Sequence, residues 1–381
     1  MKKALLLDTG FSSWPILRRL ESAGLQVHVA GANPTDALAR GNPRYHRLDY
    51  RLSESVARLR DRLNADYLIP GCNDQSYISC AACAIPGVDK GIDSVANTAA
   101  INNKKKFRQV AIDHGLPVPE VYDWPRQEPG RAVMVKPANS FSGKGVTLIK
   151  QPNAQAIAAA IKVASNHSQT QEWVVEEFVE GQLYSHSAFF FNGRIEKDFL
   201  VIESSSVNPY VVDTSYVVES IPGGYELPLR KLIADFANRL NLVEGLIHTQ
   251  FIVNDNRICI IEMTRRCPGD LYSRLIELST GHDYVTYYLS KFLGADPDTS
   301  AKERKFVLRH TMTQGSNMRF YCVSFNLPLM IEEWVSLALT GDDLTPSPGG
   351  RVGLLFIRAD SQEQLHATYE ELKSKTVYQL A

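Results

Sequence analysis

Two stretches of the chain carry residue types suited to phosphate and metal chemistry. The first is Val135-Lys136-Pro137 followed by the loop Ser140-Phe141-Ser142-Gly143-Lys144-Gly145. Successive backbone N–H groups in a Gly/Ser loop form a concave anion site, and glycine lets the main chain approach phosphate oxygens closely. Lys136 and Lys144 add point charges. No Gly-x-x-x-x-Gly-Lys-Ser/Thr stretch occurs, so this is not a Walker loop; taken alone, it reads first as an exposed hairpin tip. The second stretch holds Gln250, Glu262, Thr264 and Arg266. Alternate residues of a strand share a face, so Glu262 and Thr264 point the same way and Arg266 lies just past the strand end. Gln250 comes opposite Glu262 if the two strands pair across Asn254-Asp255-Asn256, a hairpin-turn composition. Such oxygen ligands suit Mg²⁺, which binds through one or two carboxylates plus substrate phosphates. An ion pair of Glu262 with Arg266 at a sheet edge is the competing reading.

Two smaller features accompany these. Glu176-Glu177-Phe178-Val179 ends an apolar strand, where free backbone groups can mimic the edge of a base pair; plain core is the alternative. His248 shares a strand face with Gln250, as a substrate contact or as a buried, hydrogen-bonded histidine.

These residues need elements to hold them. The first hundred residues alternate apolar runs (4–7, 27–30, 67–69) with amphipathic segments (13–23, 53–63), the βαβ rhythm of an open parallel sheet. The turn Asp8-Thr9-Gly10-Phe11-Ser12-Ser13 lacks the three spaced glycines of a dinucleotide site, which argues against an NAD enzyme. A helix over about 102–114 opens with Lys104-Lys105-Lys106 and stops at Gly115, Pro117 and Pro119. Strands are expected at 132–136 and 145–150 around the Gly/Ser loop, then a helix over 153–165, a strand from Trp173, and strands at 185–191, 199–202 and 210–219. A helix over 227–240 precedes the pair 246–253 and 257–263, and the tail carries strands near 305–312 and 351–358 with a helix over 361–374.

At 381 residues the chain exceeds one ordinary core, so two or three domains are expected. With 41 Lys+Arg against 42 Asp+Glu there is no global field for nucleic acid, and any anion must be held by local charge. No apolar run approaches the roughly 20 residues of a membrane helix, which points to a cytoplasmic protein with no membrane partner. Six cysteines form no disulfide framework, and Cys80-x-x-Cys83 has no second pair at zinc spacing.

The order of the parts is more specific than any one of them. Lysine at a helix start, a Val-Lys-Pro strand, a Gly/Ser loop, a Glu-Glu-Phe-Val strand end, then Gln…Glu-x-Thr-x-Arg on a hairpin resembles the ATP-grasp superfamily over about residues 1–300. The resemblance implies an α/β and α+β fold: a Rossmann-like domain (1–98), a two-lobed ATP-grasp domain (99–297) and a small C-terminal α+β substrate or lid region (298–381). It implies ATP and Mg²⁺ (or Mn²⁺) as cofactors. Lys104, in Asn103-Lys104, resembles the first nucleotide lysine and Lys136 the second, while Ser140 to Gly145, with Ser142 and Gly143, resembles the mobile phosphate lid. Glu176 and Val179, with Glu177 and Phe178 between them, match positions whose backbone holds the adenine edge. Glu262 matches the metal-bridging glutamate and Arg266 the arginine that steadies acylphosphate and substrate.

Three positions depart from the commonest pattern. Gln250 stands where Glu or Asp is usual, although the carbamoyl-phosphate synthetase branch uses Gln there; Thr264 replaces Asn as third metal ligand; Leu183 replaces a ribose-binding Glu, leaving Tyr184 or His186 for the ribose. The run Arg265-Arg266-Cys267-Pro268-Gly269-Asp270, with Leu275, Ile276, Gly281 and His282-Asp283, resembles the amino-acid ligase and dipeptide-synthetase branch. The implied activity is an ATP-dependent carboxylate–amine ligase that forms an acylphosphate and releases ADP and phosphate, with Arg266, Lys144 and His248 as its catalytic residues. Its substrates are a small carboxylate and an amine, amino acids first. The runner-up is a bicarbonate-using enzyme of the carboxylase or carbamoyl type. A nucleotide-binding regulatory module without turnover is the reading from another class, motivated by Gln250 and Thr264. Specificity is expected around 204–213 and near Arg309 and His310. Oligomeric state is open, a homodimer being the commonest arrangement.

Overall fold

A computed structural model describes residues 1–141, 143–254, 257–295 and 303–381. Ser142 of the expected lid, Asp255 and Asn256 of the expected turn, and the expected boundary at 297/298 lie outside the described residues. Strands β1 (Lys3–Leu7), β2 (Gln26–Gly31), β3 (Tyr45–Arg47) and β4 (Tyr67–Pro70) form a parallel sheet in the order β3-β2-β1-β4. Its central strand reads Ala4-Leu5-Leu6-Leu7 without alternation and is buried throughout, as a parallel strand covered on both faces must be. Helices α1 (Trp14–Ser22), α2 (Ser53–Leu63) and α3 (Asp74–Cys83) complete the unit. Periodicity missed β3, which is three residues long and half-buried. The bounds of α3 also went undrawn, though Cys80 to Cys83 read as helical: Ser76, Tyr77, Ser79, Cys80 and Ala81 are all buried, so no stripe marks the helix in the sequence. Cys80 and Cys83 sit on it as free thiols.

The helix expected over about 102–114 is α5 (Lys104–Asp113), and a further helix, α4 (Val95–Asn102), which periodicity left undrawn, precedes it. Asn103 separates the two in extended conformation and accepts the Lys106 N–H, so it serves as the N-cap of α5. The expected boundary at 98/99 falls within α4. Beyond it, β5 (Val133–Pro137), β6 (Thr147–Ile149) and β7 (Trp173–Glu177) form an antiparallel sheet in the order β6-β5-β7, covered by α6 (Ala154–Asn166). Val133, Val135, Ile149, Ile157 and Val175 fill this small core, with Trp124 and Trp173 packed at its edge.

The rest of the chain builds one large sheet, the helices that pack on it and two separate two-stranded pairs. Its elements are β8 (Gln182–Phe191), β9 (Arg194–Ser204), β10 (Thr214–Val218), α7 (Glu226–Arg239), β11 (Gly245–Val253), β12 (Ile258–Thr264), α8 (Tyr272–Thr280), α9 (Tyr284–Leu293) and β13 (Phe306–Thr313). There follow β14 (Met318–Arg319), β15 (Val323–Phe325), β16 (Met330–Ser336), β17 (Asp343–Leu344), β18 (Arg351–Ala359), α10 (Gln362–Lys373) and β19 (Tyr378–Leu380). The order is β12-β11-β8-β9-β10-β13-β18-β16, antiparallel throughout. The C-terminal α+β segment is thus joined to the large sheet through β13, which covers the edge that β10 would otherwise expose. One face packs α7 and α10 over Tyr184, Phe190, Leu200 and Ile202. The other face is divided. Phe189, Phe191 and Phe199 pack with Tyr284, Tyr287 and Tyr288 against the parallel sheet, and a polar patch beside them opens into a cleft.

Candidate active site

The cleft encloses about 830 Å³ between the parallel sheet, the small three-stranded sheet and the large sheet. The carboxyl ends of β1 and β4 contribute Ser12 and Cys72 to Gln75, where an open parallel sheet presents its ligand crevice. Met134 and Leu148 from the small sheet face Leu183, Ile252 and Ile261 from the large one across an apolar slot, with Phe178 and Val179 also on its wall.

At this end three cations gather. Lys104 and Arg108 are one turn apart on α5 and share a face. Arg108 Nε lies 2.8 Å from Glu176 Oε2, Lys136 Nζ lies 2.5 Å from Oε1, and Arg108 Nη2 also reaches the Ile261 carbonyl at 2.7 Å. Burial pushes the Glu176 carboxyl up, but Arg108 and Lys136 outweigh it and hold the pKa at about 2. Lys104 Nζ donates to the Ser140 carbonyl at 3.0 Å and lies 3.7 Å from Glu262 Oε2, which ties the helix start to both the loop and the hairpin.

The backbone of the expected adenine edge is only partly free. Glu176 pairs with Met134 and bridges Val121, Glu177 N donates to the Glu120 carbonyl at 2.8 Å, and Phe178 N to the Ala132 carbonyl at 2.9 Å. The ladder therefore uses Glu176, whose side chain anchors the lysine, and Val179 lines the cleft beyond the last ladder bond. The Glu177 side chain turns outward to Arg131 and Arg257.

The hairpin register places Gln250 opposite Glu262 and His248 opposite Thr264. A β-bulge at Gln250/Phe251 makes Ile261 the extra residue, and this is why Ile261 and Glu262, consecutive on one strand, both reach the cleft. Gln250 Nε2 donates to Glu203 Oε2 at 2.7 Å, so its carboxamide oxygen remains as a ligand atom beside the Glu262 carboxylate. One carboxylate and one amide oxygen suit Mg²⁺ that shares its sphere with water and phosphate. No group of three His, Cys, Asp or Glu able to hold a metal occurs among the described residues. The Thr264 hydroxyl is committed elsewhere, donating to Asp74 Oδ1 at 2.9 Å.

Asp74, which sequence reasoning missed, also receives Arg266 through Nε at 2.9 Å and Nη2 at 3.1 Å. Burial pushes this carboxyl up, yet Arg266 and Thr264 bring it below its ordinary value. The neighbouring Arg265 points the other way, to buried Asp93 at 2.7 Å and to the carbonyls of Leu246 and Val243. His248 is buried; burial first and then Arg266 lower it to about 3, so it stays neutral, with Nδ1 at 2.9 Å from Ser187 Oγ.

Glu203, Tyr272, Asp270, Arg309 and Arg351 complete the lining. Ser185 Oγ donates to Glu203 Oε1 at 2.8 Å; burial raises the Glu203 pKa despite Ser185, Arg309 and Gln250. Several expected residues are not brought in. Lys144 is exposed and outside the lining. Gly145, with φ +75°, abuts His167 instead. Tyr184 and His186 lie on the opposite face of β8 from Leu183: Tyr184 stacks on Phe251 at 5.7 Å, and His186 bonds Asp198 at 2.8 Å. Strand alternation forces this, because Leu183, Ser185 and Ser187 face the cleft. Gly143, at φ +68°, does line it, against Tyr210.

Residues 130–273 match the family model of the ATP-grasp domain. No curated protein sequence matches the chain. Among solved structures, an L-amino acid ligase from Bacillus licheniformis superposes with a TM-score of 0.79 at 15% identity, covering 100% of this chain and 98% of that one. A phosphoribosylglycinamide synthetase from Anaerococcus prevotii gives 0.74 at 15%, covering 100% and 99%. The biotin carboxylase domain of the Hydrogenobacter thermophilus 2-oxoglutarate carboxylase, solved with MgADP, ADP and bicarbonate, gives 0.73 at 13%, covering 100% and 90%. At such identities the likeness is one of fold. Residues 130–273 thus match the ATP-grasp domain, and the chain as a whole shares the fold of these ligases and carboxylases.

Proposed function

We propose that the protein is an ADP-forming carboxylate–amine ligase. The observation that carries this reading is the meeting of Lys104, Glu262, Gln250 and Arg266 in one cleft with an apolar slot on one side and a polar, doubly charged end on the other. In this reading residues 1–98 form the Rossmann-like part, 99–297 the ATP-grasp part and 298–381 the substrate side. The slot between Met134, Leu148, Leu183 and Ile252 takes the adenine, and Lys104, Lys136 and the loop around Gly143 take the phosphates. Gln250 and Glu262 hold Mg²⁺, which when bound supplies charge neutralisation for the phosphates.

A substrate carboxylate oxygen attacks the γ-phosphorus, and the bond to the ADP oxygen breaks. The amine nitrogen of the second substrate then attacks the acyl carbon; phosphate leaves, and the amine's surplus protons pass to phosphate and solvent. Arg266, fixed by Asp74, orients the acylphosphate and balances its charge, so the protein's work is positioning and electrostatics. His248 takes no proton near neutral pH and is a fixed polar wall. The loop from Ser140 excludes water that would hydrolyse the acylphosphate.

The test is ADP release with Mg-ATP against amino acids offered singly and in pairs, with bicarbonate included. Release is expected only with a particular pair, and Lys136→Ala should lower it about 100-fold or more. Release driven by bicarbonate would make the protein a carboxylase. No release from any acceptor, with ATP binding verified, would leave a nucleotide-binding module.

A further inference from the structure

The end of the cleft away from Lys136 holds three arginines in unequal states. Arg266 is paired with Asp74, and Arg351 with Asp270 at 2.8 Å. Arg309 has no carboxylate partner among the described residues. Its Nη1 donates to the Asp270 carbonyl at 3.0 Å, and its Nε has no acceptor although the residue is only 3% exposed. Register fixes where this guanidinium looks: Arg309 pairs with Ser215 on β10, and Ser215 with Glu203 on β9. Directly paired residues share a face, so all three side chains point toward the cleft. The Ser215 hydroxyl is likewise buried without a partner.

Glu203 and Arg309 therefore face one another across one intervening strand, with their strands roughly 10 Å apart. Arg309 is near enough for its charge to act on Glu203, yet the two form no ion pair. An anionic and a cationic group held apart over a small buried hydroxyl are complementary to a ligand with the opposite charges on adjacent atoms.

We propose that this gap binds the head of an α-amino acid, its carboxylate on Arg309 and Ser215 and its ammonium on Glu203. The proposal rests on the ligase reading and assigns the amine substrate to it. Arginine suits the carboxylate because its planar fork donates two parallel hydrogen bonds. Glu203 accepts from Gln250, which lies opposite Glu262, so the amine arrives beside the carboxylate of the metal row while the α-carboxylate is held back from the reaction. Arg309 is thereby a specificity-determining residue for the acceptor.

The experiment is calorimetric titration of the full-length protein, loaded with Mg²⁺ and a non-hydrolysable ATP analogue, with the twenty amino acids and their α-amides. At least one amino acid should bind saturably, and its α-amide about 30-fold or more weakly. Arg309→Met should bring the acid down to the level of the amide and leave nucleotide affinity unchanged; Arg309→Lys should restore part of the preference. Because Arg309 also holds the Asp270 carbonyl, the acid-to-amide ratio of the unaltered protein decides the matter if the methionine variant does not fold. Equal affinity for acid and amide, no amino-acid binding, or a preference that survives Arg309→Met would overturn the proposal. The two readings separate cleanly: acid-selective binding without ADP release retains the subsite and removes the ligase, and turnover of acids and amides alike does the reverse.

Discussion

Glu176 is fully buried at the wall of the cleft, and two cations share its oxygens. A carboxylate held at about 2 instead of 4.5 contributes stability that is fully present above its unfolded pKa and is lost as pH falls through its folded one. The difference is worth about 3 kcal/mol. Guanidinium unfolding of the wild type should therefore lose about 3 kcal/mol more than Glu176→Gln between pH 5 and pH 2. Parallel stability curves would mean that Arg108 and Lys136 do not hold the proton off. The glutamine variant should also be less stable at pH 7, since it leaves the Arg108 guanidinium buried with a neutral partner.

At the scale of elements, the loop between β5 and β6 is held by close backbone approaches at glycines, Gly143 foremost. Gly143 has φ +68°, and a Cβ there would come within 2.5 Å of the Tyr210 Cβ. Gly143→Ala should slow ADP release about tenfold, from about 1–2 kcal/mol of backbone strain, and should lower the unfolding free energy by no more than that strain. Unaltered turnover would show that the loop does not need its seat on Tyr210. Much of this scale was legible in the sequence. Lys136, the loop, Gln250, Glu262 and Arg266 are set by spacings of a few residues, and the pairing of Gln250 with Glu262 follows from one hairpin. Arg108 was legible too, four residues after Lys104, but no reason to read it existed until Glu176 was seen beside it. Tyr184 was misread as a ligand although alternation with Leu183, Ser185 and Ser187 already sends it to the other face. Asp74 and Glu203 were beyond reach, and Arg309, expected as a specificity residue, could not be placed opposite Glu203. They meet the site through sheet order and through packing of the parallel sheet, and neither is encoded in local spacing.

The whole molecule turns on the dipeptide Arg265-Arg266. Each arginine takes an acid from the N-terminal hundred residues, Asp93 in the interior and Asp74 in the cleft. The core around Leu5, Leu6 and Ile69 continues without a break into Tyr284, Tyr288 and Phe189 of the remainder. Tyr288 adds a hydrogen bond to the Pro70 carbonyl at 2.9 Å. Asp93→Ala leaves Arg265 buried without a counter-ion and should cost about 3–5 kcal/mol. Unfolding of both proteins, followed by circular dichroism at two wavelengths, should show one transition, shifted in the variant. Two separated transitions would contradict a shared core.

The distribution of aromatic side chains across these parts has an optical consequence. Of the chain's four tryptophans, Trp124 and Trp173 belong to the small three-stranded lobe, while Trp14 and Trp334 are half exposed on the outside. The seam between the parallel sheet and the rest is packed with tyrosine and phenylalanine. The buried share of the indole emission therefore watches the small three-stranded lobe, and tyrosine absorbance in the near ultraviolet watches the seam, so motion at one can be told from loosening at the other without adding a dye.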